Sequence, residues 1–223
     1  MKILHLFREA IAAVLIFGAA AMAHADVIYS FNLKDPSLAI GAGPYGTVTL
    51  HQVGANMNVT VSLRSDLNFV NTGGQHTLFS FNATGVVKGD ISNIFFNGVA
   101  DPNVTVIAPG SNPPFNAGFT LGIDCTGGGC QNGAPGQHVD PLTFTVANAV
   151  YTDFGISIGS PATFFSADVI CVIGTCNGNT GAVGSNLLLD QGGGDNGNPA
   201  PEPGGIALLA LGLAAMAGSR RRR

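Results

Sequence analysis

The chain has 223 residues, of which 46% are hydrophobic and only 10% charged, with a formal net charge of −4. Residues 26–200 carry three basic side chains, Lys34, Arg64 and Lys88, against eleven aspartates and no glutamate, a net charge of −8. That balance repels phosphate backbones and excludes a nucleic-acid partner, while about 175 residues are enough to bury one core.

The first 25 residues read as a processing segment rather than part of the fold. They open with Lys2 and Arg8, continue in an apolar run from Ala10 to Met22, and end on Ala23-His24-Ala25. Small side chains at Ala23 and Ala25, followed by Asp26, are what a signal peptidase accepts, so cleavage is expected between Ala25 and Asp26. The apolar run is too short for a permanent span, which needs roughly 20 residues. The segment is therefore expected to be a signal helix, removed on export.

Residues 26–189 read as a β domain. Val48 and Leu50 alternate with Thr47, Thr49 and His51; beyond a turn at Gly54-Ala55-Asn56, Met57, Val59, Val61 and Leu63 alternate with Asn58, Thr60 and Ser62. A period of two on both sides of a short Gly/Asn turn predicts a hairpin. The same period recurs at Leu142, Phe144 and Val146, and at Phe154, Ile156 and Ile158. Further strands are expected over residues 27–33, 77–82, 91–97, 104–108, 118–123 and 163–172, most of them separated by Gly and Pro turn markers. No apolar 3.6-residue period is sustained. The fold class that follows is all-β: a sandwich of two antiparallel sheets of jelly-roll or Greek-key type, with an up-and-down barrel as the alternative. Phe31, Phe69, Phe79, Phe81, Phe119, Phe144, Phe154 and Phe164 are the expected core.

Four cysteines form two pairs at the same spacing, Cys125 with Cys130 and Cys171 with Cys176. An exported chain meets an oxidising compartment, so disulfides are expected. Four cysteines allow three pairings, the local one closing two short loops. A zinc site on all four thiolates is disfavoured, because four intervening residues is the wide end of usual ligand spacing. His51, His76 and His138 are far apart in sequence, share no motif and are expected at the surface. No nucleophile elbow, zinc-protease or phosphate-loop motif is present, so neither catalytic residues, metal nor cofactor are expected. Glycoside hydrolysis needs two carboxylates, and nothing singles out an aspartate pair. Carbohydrate-binding surfaces stack sugars on exposed rings, for which Tyr29, Tyr45 and Tyr151 are the candidates.

Composition changes at about residue 190. Residues 190–200 are Gly, Asn and Asp rich and read as a flexible linker, without the spacing of a calcium loop. Residues 201–223 follow. Pro201-Glu202-Pro203 is held extended by its prolines, within reach of a protease or transpeptidase. Sixteen uncharged residues, 204–219, reach about 24 Å as a helix, short of a ~30 Å hydrocarbon core unless the arginines snorkel. Arg220, Arg221, Arg222 and Arg223 would stay cytoplasmic under the positive-inside rule, placing the β domain on the other side.

This order of parts resembles the PEP-CTERM sorting signal of Gram-negative bacteria that make extracellular polysaccharide. The resemblance covers residues 201–223 and implies recognition of Pro201, Glu202 and Pro203 by an exosortase. The implied partners are signal peptidase and exosortase, with the inner membrane holding a transmembrane helix until the anchor is removed. The implied destination is the cell surface or biofilm matrix. Segments such as Gly43-Pro44-Tyr45-Gly46, Phe69-Val70-Asn71-Thr72 and Phe165-Ser166-Ala167-Asp168 resemble PEP-CTERM proteins of unknown function, a resemblance that carries no active site. The expectation is an exported structural surface protein without catalysis. The alternative is a carbohydrate-binding module that meets exopolysaccharide.

Overall fold

The computed structural model describes residues 26–70, 76–112, 115, 118–126, 137–155, 157 and 161–191. Its strands in chain order are β1 (Val27–Phe31), β2 (Leu33–Lys34), β3 (Gly46–Val53), β4 (Asn56–Leu63), β5 (Leu67–Val70), β6 (Phe79–Phe81) and β7 (Ile91–Phe96). They continue with β8 (Val104–Ile107), β9 (Leu121–Cys125), β10 (Gln137–His138), β11 (Leu142–Val146), β12 (Phe165–Cys171), β13 (Thr180–Ser185) and β14 (Leu187–Gln191). Short 3-10 turns at Lys88–Asp90, Tyr151–Phe154 and Gly174–Cys176 are the helical pieces among the described residues. None of these is long and apolar enough to cross a membrane. The expected signal helix and C-terminal membrane helix lie outside the described residues.

The predicted hairpin is β3 and β4, in register from Gly46↔Leu63 to Val53↔Asn56. That leaves Gly54 and Ala55 as a two-residue loop, and Gly54 takes the positive φ of 61° that such loops demand. The hairpin is the centre of a six-stranded antiparallel sheet in the order β14-β1-β3-β4-β11-β7. A second, eight-stranded antiparallel sheet is organised about β12. One flank of β12 pairs β13, which in turn pairs β2. The other flank pairs β6 along Phe165–Ala167 and β5 along Val169–Cys171, β6 leading on to β9 and β8, and β5 to β10.

The two sheets form a sandwich. Val48, Leu50, Met57, Val59, Val61, Leu142, Phe144 and Val146 line the inner face of the first. Leu67, Phe69, Phe79, Phe81, Leu121, Ile123, Phe165 and Val169 line that of the second. Phe144 bridges them, its ring 5.5 Å from Phe81 and 5.9 Å from Phe79, while Phe79 stacks on Phe165 at 5.9 Å. Each fully buried phenylalanine contributes about 1.5–3 kcal/mol, and ring pairs add about 0.5–1.5 kcal/mol.

Some expectations are corrected. Phe164 is only partly buried and its neighbour Phe165 fills the core, because the β12 register turns the odd-numbered residues inward. Phe154 is buried, but from a 3-10 turn rather than a strand. Its alternation with Ile156 and Ile158 runs outside the described residues. The strand expected over 118–123 runs instead over Leu121–Cys125, with Phe119 making an isolated bridge to Gly110. The chain remains in strand through Gln191, two residues into the segment read as linker, because Asp190 and Gln191 pair with Ile28 and Val27.

The outer faces of the two sheets differ. That of the first is polar and open, whereas on the second Ser80, Ser166 and Asp168 are buried. The segment through Gly110 and Asn112 lies against Ser80. Asn112 Oδ1 accepts from the Thr77 amide (2.9 Å), and its Nδ2 donates to Ser80 Oγ (3.4 Å).

Candidate functional site

The described body begins at Asp26, whose carboxylate is hydrogen-bonded to His51 Nδ1 at the surface. Ala23 and Ala25 lie outside the described residues, as do Pro201, Glu202, Pro203 and Arg220, Arg221, Arg222 and Arg223.

The described cysteines are oxidised. Cys171, at the end of β12, is bonded to Cys176 in the following 3-10 turn, with Cα atoms 5.7 Å apart. Cys125 is also in a disulfide, and Cys130 lies outside the described residues. With Cys171 and Cys176 joined, the four-thiolate alternative loses two of its ligands. Among the described residues, two groups of potential ligand atoms come within 4.8 Å of one another, Asp66 with Cys171 and Cys176, and Asp101 with Cys125 and His138. Sulfur in a disulfide is not a thiolate, so neither group offers a metal the donors it needs.

The histidines are not all at the surface. His138 on β10 is 8% exposed and stacks on Phe96, ring centroids 4.3 Å apart. Burial holds it below its ordinary pKa, opposed by the Asp101 carboxylate 3.7 Å from Nδ1. Sequence could not place it there, because a two-residue strand beside β5 carries no periodicity. His76 is half-buried, with Nδ1 3.5 Å from Asp168 Oδ1, and that carboxylate raises its pKa. Asp124, on β9, completes the cluster. Burial pushes its carboxyl up to about 6, against hydrogen bonds from the Cys125 and Leu78 amides, and Oδ1 is left without a partner. Acid–base chemistry would require a reacting group to reach these carboxyls. Asp168 is 3% and Asp124 9% exposed, so both carboxyls are buried, and only His76 keeps part of its side chain at the surface.

Arg64 forms the best-connected charged pair described. Its Nε and second terminal nitrogen donate to the two Asp66 oxygens at 2.6 and 2.8 Å, and its guanidinium lies 5.3 Å from the Tyr45 ring centre. Tyr45 itself is buried, at 4% exposure, and is removed from the list of sugar-stacking candidates. The other two tyrosines are brought together. Tyr29 from β1 and Tyr151 from the 3-10 turn line one cleft of about 340 Å³ with Thr152, Phe164 and Leu188. Tyr29 packs edge-on against Phe165 at 4.8 Å and is 3% exposed, so it is buried like Tyr45 and forms only the floor of the cleft, while Tyr151, 46% exposed, is the one tyrosine that offers a ring to a sugar. Among the described residues that line it, the cleft has no carboxylate or cation, and it presents the exposed ring of Tyr151, the partly buried Phe164, Thr152 and aliphatic walls.

No family model, no curated protein and no solved structure matches the chain.

Proposed function

We propose that this chain is an exported, exosortase-sorted protein of the cell surface or extracellular matrix, and that its β-sandwich is a structural element without catalysis. One observation carries the reading: Pro201-Glu202-Pro203, an uncharged run and Arg220 to Arg223 follow one another in that order after a strand-rich body and a glycine-rich linker. In this reading the sandwich is of jelly-roll or Greek-key type. A signal helix directs export and is removed after Ala25. A C-terminal helix holds the precursor in the inner membrane until the exosortase acts at Pro201, Glu202 and Pro203. A body with scarce charge, buried carboxyls and oxidised cysteines suits exposure outside the cell.

The test separates sorting from folding. In a host with an exosortase, Glu202→Ala is expected to accumulate full-length precursor in the inner membrane while leaving the stability of the body unchanged. Deleting Arg220 to Arg223 is expected to weaken stop-transfer and release some unprocessed precursor. Immunoblots of membrane and extracellular fractions read both. Normal processing and location of both variants would reduce the tail to an ordinary apolar helix.

A second reading is a carbohydrate-binding module. The observation favouring it is the exposed Tyr151 ring beside Phe164 and Leu188 in one uncharged cleft, with the buried Tyr29 as its floor. Retention on an immobilised neutral polysaccharide, lost on Tyr151→Ala, is its expected signature.

A further inference from the structure

Across β4, β11 and β7 the outer face of the first sheet is built largely from side chains that hydrogen-bond but do not ionise; the ionisable pair His51 and Asp26 lies at its β3 side, His51 opposite Asn58. Strand registers align the neutral side chains in rows. Thr49, Thr60, Thr143 and Phe95 face one another across β3, β4, β11 and β7, and Asn58 pairs Thr145 in the next row. Neighbouring strands are about 4.8 Å apart, so the first row spans about 14 Å. On this face lies a second concavity, about 300 Å³, lined among others by Asn58, Thr60, Asn93, Phe95, Thr143 and Thr145.

The groove owes its shape to an irregularity in β7. Thr143 pairs Phe95 but Thr145 pairs Ser92, so Asn93 and Ile94 together oppose Phe144. That is a β-bulge, and Asn93 sits in it with φ 55°, the left-handed conformation that asparagine tolerates better than most residues. Without the extra residue the alternation would send Phe95 to the core face. With it, Phe96 takes the inward position against Phe69, and Phe95 is left half-buried beside Thr143 on the outer face. An aromatic ring and an amide thus flank a floor of hydroxyls. Thr145 Oγ1 donates to Asn58 Oδ1 at 3.1 Å, which orients that amide.

We propose that this groove binds a neutral polysaccharide chain, its sugar rings packed on Phe95 and their hydroxyls bonded to Asn93, Asn58 and the threonines. The inference rests on the carbohydrate-binding reading but assigns the ligand to a different surface from the tyrosine cleft. Occupant and groove match in charge. The lining holds no carboxylate, imidazole, thiolate or cation, which leaves a metal ion only neutral amide and hydroxyl oxygens and no charge to hold it. A phosphate or uronate would meet a net-negative body and nothing to neutralise it. A peptide strand would add to the edge of β7 rather than lie across side chains. A pyranose has what remains: an apolar ring face for the phenylalanine and equatorial hydroxyls for paired donors and acceptors.

The test is calorimetric titration of the purified exported protein with cello-, laminari-, manno- and isomaltohexaose, with oligogalacturonate as the anionic counterpart. Saturable binding of at least one neutral hexasaccharide and none of oligogalacturonate is expected. Phe95→Ala and Asn93→Gly should each weaken it about fivefold to tenfold. Glycine keeps the left-handed backbone while removing the amide, so Asn93→Gly reports on binding even if Phe95→Ala fails to fold; thermal melts identify that case. Binding that survives both changes but is lost on Tyr151→Ala overturns this assignment and leaves the carbohydrate reading standing. Absence of binding to every neutral hexasaccharide, or preference for the anionic one, overturns both.

Discussion

The His76 imidazole stands 3.5 Å from the carboxylate of Asp168, a residue 3% exposed on the middle strand of its sheet. The carboxylate holds the imidazole above its ordinary value of 6.5. A basic group raised on folding contributes stability that is complete below 6.5 and disappears as pH climbs through the folded value. His76→Ala should therefore cost about 1–2 kcal/mol at about pH 5.5 and markedly less at about pH 8.5. Urea unfolding at both values reads the difference, and an equal cost at each would remove the charge from the explanation.

Asp124 has the opposite sign. Its carboxyl is raised from 3.8 to about 6, so the folded state holds its proton more tightly than the unfolded chain does. Stability from this site is present at low pH and declines between those two values as the pH rises. Asp124→Asn keeps an acceptor for the Cys125 and Leu78 amides without a buried charge. It should gain on the order of 2 kcal/mol over the parent at about pH 8 and little at about pH 4. A variant less stable than the parent at the higher pH would contradict this account.

The Cys171–Cys176 bridge ties the end of β12 to the turn that precedes β13. Closing a six-residue loop is worth about 2 kcal/mol in the chain-entropy model. Replacing both cysteines with serine should lower the chemical-denaturation free energy by about that amount. Ellman titration of the unfolded, unreduced parent should find close to no thiol. Three or more thiols per chain would refute the bridge, because Cys125 and Cys130 can supply no more than two.

Gly110 lies where its segment touches the second sheet. A Cβ there would come within 2.5 Å of the Leu121 carbonyl oxygen and 2.7 Å of Ser80 Oγ. Gly110→Ala should destabilise by about 1–3 kcal/mol, as overpacking does. Gly89→Ala, where a Cβ meets nothing within 4 Å, is the control. Similar melting temperatures for the two variants would mean that the segment moves aside without cost.

Much of the framework follows from the order of residues alone. A period of two fixes which side chains of β3, β4 and β11 face inward, because successive residues of any strand point to opposite faces. Gly54 marks the hairpin, because only a turn with positive φ matches the strand twist. Local cysteine pairing at 171 and 176 needs a loop of a few residues and nothing distant. Partner choice is different. The pairing of β1 with both β3 and β14, or of β12 with both β5 and β6, joins segments far apart in sequence, and alternation is silent on which strand lies beside which. For the same reason the burial of Ser80 was not legible: a polar outer face reads as solvated until a distant segment is found to cross it. The groove on the first sheet depends on both levels. Its threonines are visible as alternate residues, but one extra residue in β7, measured only against β11, decides that Phe95 and Asn93 stand beside them. Local geometry is written in neighbouring residues; registers and coverings are settled by packing between residues that meet only when the chain has folded.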